Sequence, residues 1–298
     1  MRPAWSVLLL TTLIGAGQGL FLAVFAADLS LHPGKAFVLS GMILSLLLLG
    51  AGLLASFFHL GHPERAWRSA AMWRTSWLSR EVIALPAFMG LVFLYAVLSY
   101  LGKSTFMTGA LAVGACLALF VCTGMIYACL EFLQEWHTPL TPVNYAALGC
   151  ASGLTLAAAL AAWLEPSFAR GYAQAAFVAG FVAYLLRLAA LARNTRLRPK
   201  STPATAIGIK HPRIRQIAQG AMGGSFNTRE FFHGRPREVV RAVRWTLLGL
   251  LFPVPAVFLL GGHYATAFAL QYVGLLAERW YFFAEARHPQ NLYYQAIA

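Results

Sequence analysis

The sequence predicts an all-α integral membrane protein built as a bundle of eight transmembrane helices. Of its 298 residues, 59% are hydrophobic and only 11% are charged, and the apolar residues fall into eight long runs. A soluble domain of this length needs far more charge to cover its surface. Each run reaches the ~20 apolar residues that span a hydrocarbon core of ~30 Å.

The eight helices are predicted at residues 6–29, 36–61, 81–101, 106–130, 143–164, 172–192, 245–261 and 264–283, within one membrane domain covering 1–298. For the first run, a cleavable signal peptide is the alternative interpretation, since Val24-Phe25-Ala26 loosely fits a cleavage site. The run is too long for a usual signal, so we interpret it as a helix. Pro253 and Pro255 predict a kink in the seventh helix. The Gly, Ala and Ser content of the fifth predicts close approach of its neighbours.

Basic residues fix the predicted orientation. Only Lys35, Lys103 and Arg170 fall on one side of the bundle, which leaves 20 of the 23 Lys and Arg residues on the other. The positive-inside rule therefore predicts that both termini, the segment 59–81 and the long basic loop 193–244 face the cytoplasm of a bacterial inner membrane. The net charge of +13 then reflects orientation and contact with a partner protein, and nucleic acid binding is not expected.

Cysteine and histidine positions argue against a metal centre in this protein. The four cysteines lie inside apolar runs and lack the C-x-x-C spacing of a cluster, so they are interpreted as small core residues. None of the eight histidines lies in the middle of a predicted helix, where paired axial ligands of a haem are common. We expect neither a haem nor an iron–sulfur cluster here.

The segment 59–81, HLGHPERAWRSAAMWRTSWLSRE, places an imidazole and a carboxylate at the ends of two neighbouring helices. A quinone needs hydrogen-bond donors for two carbonyl oxygens and exchanges two protons in its redox cycle. His59, with an ordinary imidazole pKa of about 6.5, suits the proton role, and Glu81 can relay a proton if its surroundings favour the protonated form. Arg65 and Arg80 could instead hold Glu81 ionised. The alternatives are a histidine that caps helix 2 and a carboxylate favoured by the helix dipole.

Three further groups of residues have two interpretations each. Trp67 and the other tryptophans of the segment fit an interfacial belt, or a partner's footprint. The acids and histidine of the loop 131–137 could form a second proton path, or be solvated. The mixed charges of residues 278–287 favour pairing within the protein, with a docking site for a partner as the alternative.

The motif His59-Leu60-Gly61-x-Pro63, Arg65-Ala66-x-x-Ser69 and Ser76-x-Leu78-Ser79-x-Glu81 resembles a known family. This family is the membrane anchor subunits of three-part molybdenum oxidoreductases of the dimethyl sulfoxide reductase type. Residues 127–152, 226–234 and 284–293 are similar to the SoeC-type anchor of cytoplasmic sulfite dehydrogenases.

The resemblance implies specific partners and a specific site. Such an anchor holds a ferredoxin-like subunit with four iron–sulfur clusters, which connects to a catalytic subunit that carries a molybdenum bis-guanine-dinucleotide cofactor. The anchor exchanges electrons with ubiquinone or menaquinone and has no metal or substrate-converting residue of its own. The implied quinone-binding and proton-transfer residues are His59, Gly61, Arg65, Trp67, Ser69, Arg80 and Glu81.

The direction of electron flow stays open at this point. A sulfite dehydrogenase delivers electrons to the quinone, whereas a dimethyl sulfoxide reductase withdraws them from menaquinol. Two rival classes are a secondary transporter, for which the sequence shows no convincing internal repeat, and a structural anchor that binds no quinone.

Overall fold

The computed structural model describes residues 1, 3–58, 60–200, 202–211, 213–218, 226–232 and 237–294, and the secondary structure of these residues is helical. In chain order, the α-helices are α1 (Trp5–Ser30), α2 (Lys35–Phe57), α3 (Trp77–Tyr100), α4 (Phe106–Ala128), α5 (Leu140–Leu164), α6 (Pro166–Thr195), α7 (Pro203–Ile207), α8 (Phe226–Glu230), α9 (Glu238–Leu250), α10 (Pro253–Leu260) and α11 (Tyr264–Glu285). Two 3₁₀ helices cover Pro63–Ala70 and Pro289–Leu292.

Seven helical stretches among the described residues are long and apolar enough to cross a membrane. Six of them are α1 to α6, and the seventh, Glu238–Leu260, combines α9 and α10. The protein is therefore an all-α membrane protein with seven candidate transmembrane helices. The eighth span predicted at 264–283 corresponds to α11, which is not one of the seven and carries Glu278, Arg279 and Glu285 along its last two turns.

Helix α1 lies at the centre of the bundle, between α2 and α5, and α5 packs in turn against α6 and α11. The crossing of α1 and α5 depends on glycine. A Cβ on Gly19 would lie 2.1 Å from the carbonyl oxygen of Gly149, and one on Gly153 would lie 2.0 Å from the carbonyl carbon of Gly19. The two backbones are thus in direct contact, as small residues permit in membrane helices.

The outer faces of the bundle are apolar. Large side chains such as Leu47 on α2, Phe93 on α3 and Leu111 on α4 are exposed to the surroundings. A soluble protein rarely exposes so continuous an apolar surface. These faces are the ones that hydrocarbon would cover.

Four helices, α3, α5, α6 and α9, begin three or more residues earlier than the sequence predicts. Helix α3 starts at Trp77 instead of residue 81, because the Ser76 side chain accepts a hydrogen bond from the Ser79 N–H at 3.3 Å and caps the helix. Helix α6 starts at Pro166 instead of residue 172, since proline is well suited to the first position of a helix. The first turn of α3 therefore extends beyond Glu81 toward the polar segment.

The predicted loop 193–244 is shorter than expected and is partly helical. Helix α6 continues to Thr195 and α9 already begins at Glu238, while α7 and α8 form single turns between them.

The predicted kink of the seventh helix is a complete interruption: α9 ends at Leu250 and α10 begins at Pro253. Phe252, the residue before that proline, adopts φ −143°, which is not helical.

Candidate functional site

Glu81 is a buried carboxyl near the polar end of α3. Its side chain is only 7% exposed, and its Oε1 accepts a hydrogen bond from the Thr123 hydroxyl of α4 at 2.5 Å. Thr123 is buried as well. The two helices are antiparallel neighbours, so the beginning of α3 meets the end of α4. An ionisable group at such a depth is costly and is commonly functional.

Arginine does not neutralise this carboxyl. Arg80 turns away from it, donating through Nε to the Trp73 carbonyl at 2.9 Å and through Nη2 to the Arg74 carbonyl at 2.7 Å. Its guanidinium also lies over the Trp77 ring, 4.2 Å from the centroid. Arg65 lies 3.7 Å from Glu64. The ion pairs found among the described residues do not include Glu81, so the proposed ionising role of these two arginines has no support in the geometry.

The other predicted residues lie on the surface segment that precedes α3. Gly61 and Arg65 are exposed, and Trp67 is 71% exposed. Ser69 is half-buried, with its hydroxyl donating to the Ala66 carbonyl at 2.5 Å. Among the six predicted residues that the structure describes, only Glu81 is buried. The seventh, His59, lies outside the described residues.

Two stacked tyrosines, Tyr127 on α4 and Tyr145 on α5, lie at the same end of the bundle as Glu81. Tyr127 lies one helical turn beyond Thr123 on the same face of α4, and its ring stacks on that of Tyr145 of α5 with the centroids 5.7 Å apart. The tyrosines belong to an aromatic cluster completed by Trp136, whose indole N–H donates to a carbonyl of α11 at 2.9 Å.

A buried ion-pair network lies on the far side of Tyr145. Glu278 of α11 is 1% exposed, and its two carboxylate oxygens lie 2.9 Å from the Arg187 Nε of α6 and 3.2 Å from the Arg279 Nε. Arg187 also reaches Glu285 at 3.4 Å. The Arg279 guanidinium lies 3.4 Å from the centroid of the Tyr145 ring. Charge is therefore balanced within this network, which ties α5, α6 and α11 together.

A cavity of about 10 Å³ lies beside the network. Its lining includes Glu135 from the loop between α4 and α5, Asn144 and Tyr145 from α5, and Glu278 from α11. Burial raises the pKa of the Glu135 carboxyl above its ordinary value of 4.5. All these groups lie at the same end of the bundle as Glu81, because α3 and α5 begin there while α4, α6 and α11 end there.

Comparison with known proteins decides the family. Residues 1–205 match the family described as "DMSO reductase anchor subunit (DmsC)". The chain belongs to this family of membrane anchor subunits. The anchor is 53% identical to the C subunit of sulfite dehydrogenase from Allochromatium vinosum, with 100% of both proteins covered. The family predicted from the segment 59–81 is thus confirmed.

Two further relatives of the anchor match about half its length. One is the YnfH chain of an anaerobic dimethyl sulfoxide reductase from Escherichia coli, 31% identical, covering 50% of the anchor and 51% of the relative. Another is the C chain of an anaerobic dimethyl sulfoxide reductase from Haemophilus influenzae, 29% identical, covering 46% and 50%. The family match includes Glu81 and Arg187 but ends before α11, whereas the full-length relative covers α11 too.

Sequence reasoning about the anchor missed Thr123, Tyr127 and Tyr145, which are uncharged and sit in apolar runs where nothing marks them out. It favoured pairing within the protein for residues 278–287, and the structure shows such pairing. It did not name the decisive partner, Arg187. A signal was present, because an arginine inside an apolar span requires an opposite charge nearby.

Proposed function

We propose that this anchor subunit exchanges electrons between an iron–sulfur partner subunit and a membrane quinone, in a complex that oxidises sulfite. The observation that carries the quinone site is the buried Glu81 carboxyl, which accepts a hydrogen bond from the Thr123 hydroxyl and directly follows the surface segment 61–80 in the chain. The full-length identity of 53% to a sulfite dehydrogenase subunit supports sulfite as the electron source. The sulfite reaction itself would occur in the molybdenum-containing catalytic subunit.

The residues present fit a quinone headgroup. Its carbonyl oxygens accept hydrogen bonds, and the segment offers donors in the Trp67 indole and the Arg65 guanidinium, besides Glu81 when protonated. The Ser69 hydroxyl would have to give up its hydrogen bond to the Ala66 carbonyl to act as a third donor. When bound, a ubiquinone or menaquinone supplies two-electron chemistry coupled to two protons. The role of Glu81 is to hold a proton at the buried end of this site and to release it toward the ring. Its Thr123 partner orients the carboxyl. His59 is proposed as a second donor.

The proposal includes the orientation and the number of spans. The positive-inside rule, applied to Arg65, Arg68, Arg74 and Arg80, supports a cytoplasmic position for the segment before α3, together with both termini and the basic stretch between α6 and α9. This face would dock the four-cluster iron–sulfur subunit. Helix α11 would be the eighth span, since it packs against α1, α5 and α9 and its charged residues are paired inside the bundle.

Replacing Glu81 tests the site. In the assembled complex, Glu81→Gln keeps the side-chain shape and an oxygen for Thr123 but cannot carry a proton. Quinone-linked turnover should fall by about 10²-fold or more, while the partner subunits still copurify and electron transfer to a soluble artificial acceptor persists. Glu238→Gln, at an exposed acid, is the matched control. Normal quinone turnover by Glu81→Gln would remove Glu81 from the mechanism.

A dimethyl sulfoxide reductase-type complex, which withdraws electrons from menaquinol, is the second candidate because two half-length relatives carry that name. The two functions separate in one assay. Purified complex is given sulfite with an oxidised quinone analogue, or dimethyl sulfoxide with a reduced one. Reduction of the quinone analogue by sulfite supports the first candidate. If the complex shows no such reduction but oxidises the quinol with dimethyl sulfoxide, the second candidate is supported.

A further inference from the structure

We propose that protons travel between Glu135 and Glu81 through one water molecule bound in the 10 Å³ cavity and through the hydroxyls of Tyr145, Tyr127 and Thr123. The inference rests on the proposed quinone chemistry and adds the path by which its protons reach the cytoplasmic surface. The path crosses from the loop between α4 and α5 to the beginning of α3. It does not use the exposed segment 61–80.

The cavity has the properties of a site for a single water. Its volume of about 10 Å³ is near the space that one water requires, and a buried water needs two to four polar partners. Asn144 Oδ1, the Tyr145 hydroxyl and Glu278 Oε2 are buried and have no well-aligned hydrogen-bond partner among the described residues. All three residues line the cavity. One water would satisfy these groups, and an unsatisfied buried polar group is expensive.

The groups on either side of this water extend the path in both directions. Toward the surface stands Glu135, which is half-buried in the cavity wall. Toward the quinone site, the ring of Tyr145 stacks on that of Tyr127 with the centroids 5.7 Å apart, so the route passes from one tyrosine to the next. Thr123, one turn away on the same face of α4, donates to Glu81 at 2.5 Å. Each hydroxyl can donate one hydrogen bond while accepting another, which is what a proton relay requires.

The proton balance is simple. Reduction of a quinone takes two electrons from the iron–sulfur partner and two protons from water. For each proton delivered along this path, every hydroxyl releases one proton toward Glu81 and receives one from the side of Glu135. No charge remains on a tyrosine. Arg187, Arg279 and Glu278 stay paired, and their fixed charges orient the water.

Tyr145→Phe in the assembled complex is the direct test, since it removes one hydroxyl and keeps the ring under Arg279. We expect proton uptake during quinone reduction, followed with a pH-indicating dye, to slow by at least about tenfold. Binding of a quinone-site inhibitor should be unchanged. The matched control is Tyr172→Phe, a buried tyrosine whose hydroxyl donates to the Ala23 carbonyl away from the path. That variant should behave as the wild type.

A structure of the complex at a resolution that shows water gives a readout independent of turnover. Density for one water between Asn144, Tyr145 and Glu278 is expected.

A cavity without water density, or proton uptake at the wild-type rate in Tyr145→Phe, would overturn the route. If Tyr145→Phe fails to assemble, Glu135→Gln provides the second variant, with the same slowing expected and normal uptake overturning the route. Loss of quinone turnover in Glu81→Gln alongside normal uptake in Tyr145→Phe would refute the route and keep the proposed function.

Discussion

Glu81 and Glu278 are two buried acids at the same end of one bundle, and their surroundings are opposite. Glu278 faces two guanidiniums within 3.2 Å, so its charge is balanced in place. Glu81 faces the Thr123 hydroxyl and takes part in no ion pair among the described residues. A buried charge with its counter-charge fixes a structure, and a buried acid without one is free to exchange a proton. The comparison separates a structural network from the proposed chemical site.

The largest effect is expected at Arg187, which serves the structural network. Arg187→Met leaves Glu278 and Glu285 without their shared cation, and the free energy of unfolding should fall by about 3–5 kcal/mol. Denaturation of the purified complex in mixed detergent micelles measures this. Arg170→Met, at an exposed position of α6, should change the same quantity by less than about 0.5 kcal/mol. Equal stability of the two variants would contradict the structural role of the network.

Thr123→Val removes the hydroxyl beside Glu81 and should act mainly on function. A hydrogen bond to a neutral carboxyl is worth about 0.5–1.5 kcal/mol, so quinone turnover should fall by up to about tenfold. Thr155→Val is the control, because the Thr155 hydroxyl is buried on α5 and donates to the Ala151 carbonyl of its own helix. A Thr123→Val complex with full turnover would show that the orientation of Glu81 is unimportant.

Arg80→Gln distinguishes an anchor of the surface segment from a counter-ion of Glu81. The guanidinium contacts two carbonyls of that segment, each hydrogen bond being worth about 0.5–1.5 kcal/mol. We expect the segment to become more sensitive to limited proteolysis, with a turnover loss much smaller than that of Glu81→Gln. Losses of similar size in the two variants would mean that Arg80 acts through the Glu81 carboxyl.

The smallest effect concerns the pH dependence of stability. Because burial raises the pKa of Glu135, the folded protein disfavours its ionised form, and this part of the stability is lost as the pH rises above 4.5, the ordinary value. Glu135→Gln should therefore flatten the decline in melting temperature between acidic and mildly alkaline pH. A steeper decline in the variant would show that Glu135 is stabilised as a carboxylate.

The contrast between the two acids also shows how far sequence reasoning could go. Seven of the eight predicted spans, the family and the position of Glu81 near the beginning of α3 follow from apolar runs and a local motif, which are properties of neighbouring residues. The same reasoning assigned Arg80 to Glu81 as an alternative, since the two are adjacent in the sequence. Adjacent residues of a helix point about 100° apart, and the guanidinium instead contacts carbonyls six and seven residues earlier.

The sequence by itself determined that this protein is helical, lies in a membrane and belongs to an anchor family, because apolar runs and local motifs consist of residues that are close together in the chain. Only the tertiary structure decided which acid is neutralised and which is not. Arg187 and Glu278 are 91 positions apart in the sequence, and Glu81 and Thr123 are 42 apart. Electrostatic pairing depends on distances of a few ångströms between side chains of different helices, and these distances are set by how the helices pack.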